Sequence, residues 1–267
     1  SGLDCADGTW FVLQPVHIHI ARDHLVLTDP RQLMLSEQDS RALFEIARPL
    51  FDEAGKTLLY GNAGTWFVRA DDWAELQTST PDAAAGRNID IWMPGGPGER
   101  DWRKVQNEVQ MHWFDSAINA QREVRREKPV NSIWLWGGAA AADTPASSRY
   151  TAAFNFCAWM QAFCIQVSTH AHADTASTVI AAKPQQGLIV LDALLEPALA
   201  NDWARWLAGM HALEEKWFAP LLQALQSGAI ERLSLVATHD AQISEFVVTR
   251  TSLRKFWIKP SLSPICS

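Results

Sequence analysis

Two imidazoles and a carboxylate fall within five positions at His170, His172 and Asp174, in the stretch Thr169-His170-Ala171-His172-Ala173-Asp174 after an apolar run at 163–167. Two imidazole nitrogens and a carboxylate oxygen are the donors that zinc takes in hydrolytic sites, and carboxylate also suits manganese. His239-Asp240 is a second polar pair, placed after the apolar run 233–237. The carboxyl end of a strand in an α/β sheet is where such folds put ligands. A metal site read from these types and spacings is therefore His170, His172, Asp174, His239 and Asp240. The competing reading is a solvated alanine-rich loop and a plain turn between strands, with no metal. A third set is uncharged: Gln106, Asn107 and Gln110 on one helix, and Asn131 on the segment that follows it. Amides bind neutral or anionic groups, or they pin the backbone of neighbouring loops. His17-x-His19 lies on one strand face and is ordinarily a solvated or hydrogen-bonded pair. No G-x-S-x-G or G-x-G-x-x-G stretch occurs, and Cys157 and Cys164 lie among apolar residues, where thiols are inert. No catalytic residue is assigned.

These groups need elements to hold them, and residues 102–138 organise the chain. Amphipathic spacing predicts a long helix that Pro129 stops, then a short apolar strand at 133–136 ended by Gly137 and Gly138. At about 100° per residue, Trp102, Val105, Val109 and Trp113 share one face, and Met111, Phe114 and Ile118 form a second. Such a helix is expected to be buried on two sides, with its amides in a buried network. Trp134 and Trp136 point to one face of the strand and are expected to pack on that helix near Val105, Val109 and Trp113. The helix end, 122–128, reads as a solvated mixed-charge turn.

Upstream, alternation predicts a strand over 10–20 and a second over 25–27, pairing as a hairpin. Ser36 caps a helix that Pro49 should bend or end and that Gly55 closes. Strands at 57–60 and 65–69 flank Gly61-Asn62-Ala63-Gly64 as another hairpin. Downstream, residues 149–160 read as helical and 163–167 and 187–191 as strands. A long helix begins at Pro197 and carries Trp203, Trp206, Leu207, Met210, Leu213, Trp217, Leu221 and Leu225, with a kink at Pro220. Strands at 233–237 and 243–248 follow. The fold class is α/β: an α+β N-terminal part (β-β-α-β-β) over 1–94, then an α/β part over 99–267 with the long buried helix, or one continuous domain.

Composition sets outer limits. The chain has 267 residues, 48% of them apolar, with net charge −7 and pI about 5.6, which disfavours nucleic acid and anionic membrane as partners. No apolar run reaches the roughly 18 residues of a membrane span. Cys5, Cys157, Cys164 and Cys266 show no C-x-x-C spacing and suit a reducing cytoplasm. Thirteen tryptophans against two tyrosines point to core filling by large rings.

The His170 stretch is similar to the H-x-H-x-D-H signature of metallo-β-lactamase-type hydrolases, although Thr175 stands where the closing histidine would be. More of the chain resembles the RpfE-type regulatory proteins of bacteria. The matching pieces are W-x-x-x-x-P-V-H-x-x-x-x-R-D-H-L-V-L at 10–27, L-x-L-x-x-x-x-S-R-A-L at 33–43, Q-N-E-V-Q-M at 106–111, P-V-N-S-x-W at 129–134 and R-x-x-L-R-K-F-W at 250–257. Members of that family carry a further N-terminal segment, which the resemblance implies is missing here. The family is itself similar to cofactor-independent phosphoglycerate mutases of the alkaline-phosphatase superfamily, through the strand N-S-I-W-L-W-G and the strand end at 236–240. Those enzymes use an N-terminal Ser or Thr nucleophile with metal carboxylates, and a late Asp-His where this chain has His239-Asp240.

Two functions follow as expectations. One is a cytoplasmic regulatory or interaction protein on a phosphoglycerate-mutase-like scaffold, without catalysis or cofactor, acting on a protein partner or small ligand. The other is a metal-dependent hydrolase or phosphoryl-transfer enzyme using zinc or manganese.

Overall fold

The computed structural model describes residues 7–140, 143, 149–157, 160, 169–238 and 243–254. Helices packed on mixed sheets make the chain α/β. It forms two compact units, Ser1–Thr144 and Pro145–Ser267. A division at 94–99 would cut the first unit. The strand after Pro129 pairs with the first strand of the chain and carries the organising helix with it.

In the first unit, β1 (Thr9–Val16) lies between β5 (Thr65–Arg69) and β6 (Ser132–Ala140), and β4 (Thr57–Asn62) adds outside β5. All three pairings are antiparallel. Strict alternation sorts the side chains. Phe11, Leu13, Trp66, Val68, Ile133 and Leu135 point to the face covered by α1 (Glu37–Glu53) and α3 (Glu99–Phe114), against Leu43, Phe51, Trp102, Val105, Val109 and Trp113. Val16, Trp134 and Trp136 point the other way. They are covered by the hairpin β2 (Ile18–Ala21) and β3 (His24–Leu27) and by residues 81–93, including α2 (Pro81–Ala84), through Leu27, Ala84 and Ile89. The two tryptophans therefore share a face as expected, but it is the face opposite the organising helix. Ile133 and Leu135 make the helix contact instead.

The predicted strand over 10–20 is broken at His17, where the chain leaves the main sheet for the hairpin. The long helix is likewise broken. Ser116 stops α3 and caps α4 (Ala117–Val124) by accepting from the Asn119 N–H. Burial of the organising helix is one-sided: Met111 and Phe114 are 74% and 80% exposed, and Ile118 packs from α4. Helix α1 starts at the Ser36 cap and runs through Pro49 to Glu53. Gly55, at φ +71°, takes the left-handed position that lets the Lys56 N–H reach the Phe51 carbonyl and close the helix end.

Residues 127–131 are held by side chains from four directions. Arg122, fully buried, donates from Nε to the Lys128 carbonyl (2.9 Å) and from Nη2 to the Leu33 carbonyl (2.7 Å), and it pairs with Asp39 and Glu127. Asn119 accepts the Val130 N–H and donates to the Val130 and Trp113 carbonyls. His17 Nδ1 is 2.9 Å from the Pro129 carbonyl. Asn131 clamps β2 by accepting from the Ile18 N–H and donating to the Ile18 carbonyl. The turn read as solvated is thus anchored on a buried arginine. Pro129 does not end the helix. Helix α4 closes at Val124 through a left-handed Arg126 (φ +61°), with the Arg126 and Glu127 N–H groups donating to the Glu123 and Arg122 carbonyls. The side-chain bonds satisfy the backbone groups of the segment that follows.

In the second unit, β7 (Ala152–Phe154) is the middle of a parallel sheet with β8 (Thr169–Ala171) and β9 (Gly187–Ile189). Residues 152–154 are strand, where the sequence suggested helix. The expected strand at 163–167 lies outside the described residues. Helix α5 (Ala176–Ala182) and the long helix pack through Ala176, Val179, Leu213, Trp217 and Leu221 against Ala152 and Phe154. The long helix starts at Trp203 on an Asp202 cap; Pro197 belongs to a separate short turn, α6 (Leu195–Leu199). It comprises α7 (Trp203–Leu213), a π turn (Glu214–Phe218) and α8 (Ala219–Ser227). Pro220 lacks an N–H and its ring crowds the carbonyl four residues back, and the wider π turn accommodates it without ending the helix. Strands β10 (Arg232–Thr238) and β11 (Ile243–Thr249) form the expected antiparallel pair.

Candidate functional site

Because β7, β8 and β9 run parallel, their carboxyl ends share one edge. Asn155 and Cys157 follow β7, His172 and Asp174 follow β8, and Asp192 follows β9. A hollow of about 780 Å³ opens there. Its other wall is Ala212 and Leu213 of α7 with Lys216 and Trp217 of the π turn. The volume lies within the few hundred to about 1,000 Å³ of small-molecule sites, and the edge is the one such sheets use for ligands. The wall is largely apolar, with polar groups at Asn155, His170, His172, Asp174, Asp192 and Lys216. Insertions of the π type are frequent at functional sites, and this one carries Lys216 and Trp217 to the hollow.

Asn155 holds the rim. Its backbone is left-handed, at φ +61°. Asparagine tolerates that region better than other non-glycine residues. Its Nδ2 donates to the Ala173 carbonyl at 3.0 Å, its Oδ1 accepts the Ala173 N–H at 2.8 Å, and its own N–H donates to the Ala171 carbonyl. The loop that carries His172 and Asp174 is fixed by these bonds to the end of β7. Asn155→Ala removes two side-chain bonds and places alanine in an unfavourable backbone region. The expected cost is about 2–4 kcal/mol, from bonds of about 1 kcal/mol each plus about 1–2 kcal/mol for the left-handed region. Urea unfolding of the variant measures it, and a loss below 1 kcal/mol contradicts the positioning role.

The residues singled out from sequence fare differently. His170, His172 and Asp174 come together on the hollow wall, and His172 Nε2 is 3.2 Å from Asp174 Oδ1. Among the described residues, no three His, Cys, Asp or Glu side chains are arranged to hold a metal ion. His239 and Asp240 lie outside the described residues. Cys157 is exposed at the hollow, not in apolar surroundings. Of the amides, Gln106 is buried and donates to the Ile133 carbonyl (2.9 Å) and to Ser132 Oγ, and Gln110 donates to Ser132 Oγ (2.8 Å). Asn107 is exposed and takes no part in this set, and Asn131 bonds β2, not the helix. The helix-to-strand amide link is therefore Gln106 and Gln110 on Ser132 and Ile133, with the Ser132 hydroxyl shared by both amides and the Ile133 carbonyl as its backbone partner. Asn155, Asp192 and Lys216 were not singled out from sequence. The Asn-Phe-Cys after a three-residue strand has too short a periodicity to mark a strand end. Pro220 was read as a kink rather than as the neighbour of a widened turn that ends two residues before it.

No family model matches the chain, and no curated protein matches it in sequence. The solved structures that resemble it include these two. One is a cofactor-independent phosphoglycerate mutase from Thermoplasma acidophilum, at 14% identity over 77% of this chain and 61% of that one, TM-score 0.39. The other is the PH0037 protein from Pyrococcus horikoshii, at 11% identity over 88% and 60%, TM-score 0.44. The likeness is weak. The chain spans about three fifths of the length of either protein. Among the described residues no helix is long and apolar enough to cross a membrane.

Proposed function

We propose that this chain is a regulatory protein of the RpfE type that binds a small molecule without turning it over, on a phosphoglycerate-mutase-like scaffold in the bacterial cytoplasm. The observation that carries the binding part is the hollow at the carboxyl ends of β7, β8 and β9, walled mainly by alanines, Leu213 and Trp217 with a few polar groups at its rim. That balance suits a compact ligand with an apolar body and one or two polar ends. The regulatory part comes from the sequence resemblance. A fragment screen read on the Trp217 indole N–H by NMR tests the site. Hits should shift that resonance and lose it as a reporter in Ala212→Trp, which fills the wall. Hits that leave Trp217 unmoved overturn the reading.

A metal-dependent hydrolase or phosphoryl-transfer enzyme is the second reading, favoured by His170, His172 and Asp174 sharing the hollow wall. On it, His170, His172 and Asp174 would hold the ion together with His239 and Asp240, which lie outside the described residues, and zinc or manganese would supply Lewis-acid chemistry. Elemental analysis of the purified protein separates the two. Stoichiometric zinc or manganese with phosphomonoester hydrolysis favours the enzyme and removes the non-catalytic reading.

A further inference from the structure

The first unit holds a second cluster that neither reading uses. His17 and His19 stand on the same side where β1 passes into β2, their rings stacked at 5.8 Å and 14°. His17 Nδ1 is bonded to the Pro129 carbonyl, so Nδ1 carries the hydrogen and Nε2 is left for another partner. His19 Nδ1 lies 3.4 Å from Thr28 Oγ1, and Lys128 Nζ lies 3.5 Å from the same hydroxyl. Thr28 is buried, whereas His19 and Lys128 are exposed. Two basic side chains thus meet on one hydroxyl, with the His17 ring stacked beside them.

The charges there are one-sided. The groups acting on His17 are Lys128, His19 and Arg122, and none of them is a carboxylate. Burial pushes the His17 imidazole below the usual histidine value, and those cations push it the same way against the Pro129 bond. The nearby carboxylates are engaged elsewhere: Asp39 and Glu127 pair with Arg122 and Arg125, and Asp29 with Arg31. In a chain of net charge −7, a cationic cluster without a counter-charge is an unusual local choice. Close cations repel one another. A metal ion would add to that repulsion, and an anion would relieve it.

We propose that Lys128, His17, His19 and the Thr28 hydroxyl form a binding site for a phosphate-type oxyanion, free or carried on a small metabolite. Lys128 supplies one full charge. His17 supplies the second by taking up a proton as the anion arrives, with the His19 ring stacked on it, which matches a dianion. The site belongs to the first unit and stands or falls separately from the hollow.

The linkage has a definite sign. His17, held below the usual histidine value, gains a proton on binding, so affinity rises as pH falls, by up to about tenfold per pH unit for one proton taken up. Inorganic sulfate stays dianionic across pH 8 to 6 and is the probe for this step, at constant ionic strength. Inorganic phosphate and phenyl phosphate at pH 7 then distinguish a free anion from a phosphorylated metabolite. Histidine ring NMR of the full chain should show His17 and His19 shifting together with saturation. Lys128→Met and His19→Gln, both at exposed positions, should each weaken sulfate at least tenfold while the chain stays folded. No saturable shift with any of the three anions overturns the proposal, as does saturation by zinc alone. Affinity that is flat with pH overturns the proton uptake and with it the dianion match.

Discussion

Arg122→Met is expected to cost about 3–5 kcal/mol of stability, the range for breaking a buried ion pair by removing one partner. The side chain is fully buried and spans three parts of the first unit. It reaches Leu33 in the turn before α1, Asp39 in the first turn of α1, and Lys128 beside Pro129. Methionine fills much of the volume but leaves two carbonyls and part of a carboxylate without donors. Each buried polar group left so costs about 1–3 kcal/mol. Arg125 also bonds Asp39, so the carboxylate does not lose every partner. Arg122→Lys is expected to recover little, because a point ammonium cannot reproduce a planar fork aimed at three acceptors. Urea unfolding followed by tryptophan fluorescence gives the number. A loss under 1 kcal/mol from the methionine variant contradicts the anchoring role.

The same arginine marks where sequence reading stops. Ser36, Gly55 and the 61–64 turn were legible from the chain alone, because capping, left-handed glycine and tight turns are local chemistry, whereas the helix expected to run to Pro129 breaks at Ser116 and closes at Val124. What satisfies the broken end was not legible. The partners of 128–131 include His17, at a sequence separation of 112, and the Arg122 fork reaches Leu33 across 89 residues. Local charge pattern made 122–128 look solvated because Arg125 and Glu127 are partly exposed and neighbour the one arginine that is not. One residue decides the amides as well. Gln106 and Asn107 differ by about 100° on the helix, so one faces the strand and the other faces water. In the hollow, the histidines and Asp174 were visible as residue types. The pieces that shape it were not: a three-residue parallel strand, Asn155 in a left-handed turn, and a π turn before Pro220.

Trp134→Ala is expected to cost about 3–5 kcal/mol, as large buried aromatics do, and the pattern of its coupling is the sharper prediction. Trp134 is 1% exposed, and its Nε1 donates to the Ser79 carbonyl at 2.8 Å. It packs with Leu27, Ala84 and Ile89 beneath the hairpin and the 81–93 segment. Alternation along β6 groups Trp134 with Trp136 and sets them against Ile133 and Leu135, but alternation alone names no side. The side is chosen by what covers each face. The helix face is filled by Trp66, Trp102 and Trp113, with Trp113 edge-on to Trp66 at 5.9 Å and bonded to the Leu43 carbonyl. The opposite face had only a short hairpin and irregular segments to close it, and two indoles supply area that those segments lack. Double-mutant cycles read this directly. Trp134→Ala should couple to Ile89→Ala by about 0.5–3 kcal/mol, as contacting residues do, and should add to Val109→Ala within about 0.5 kcal/mol, as residues on opposite faces of a sheet do. Coupling to Val109 with additivity at Ile89 would put Trp134 under α3 and reverse the assignment of the two faces.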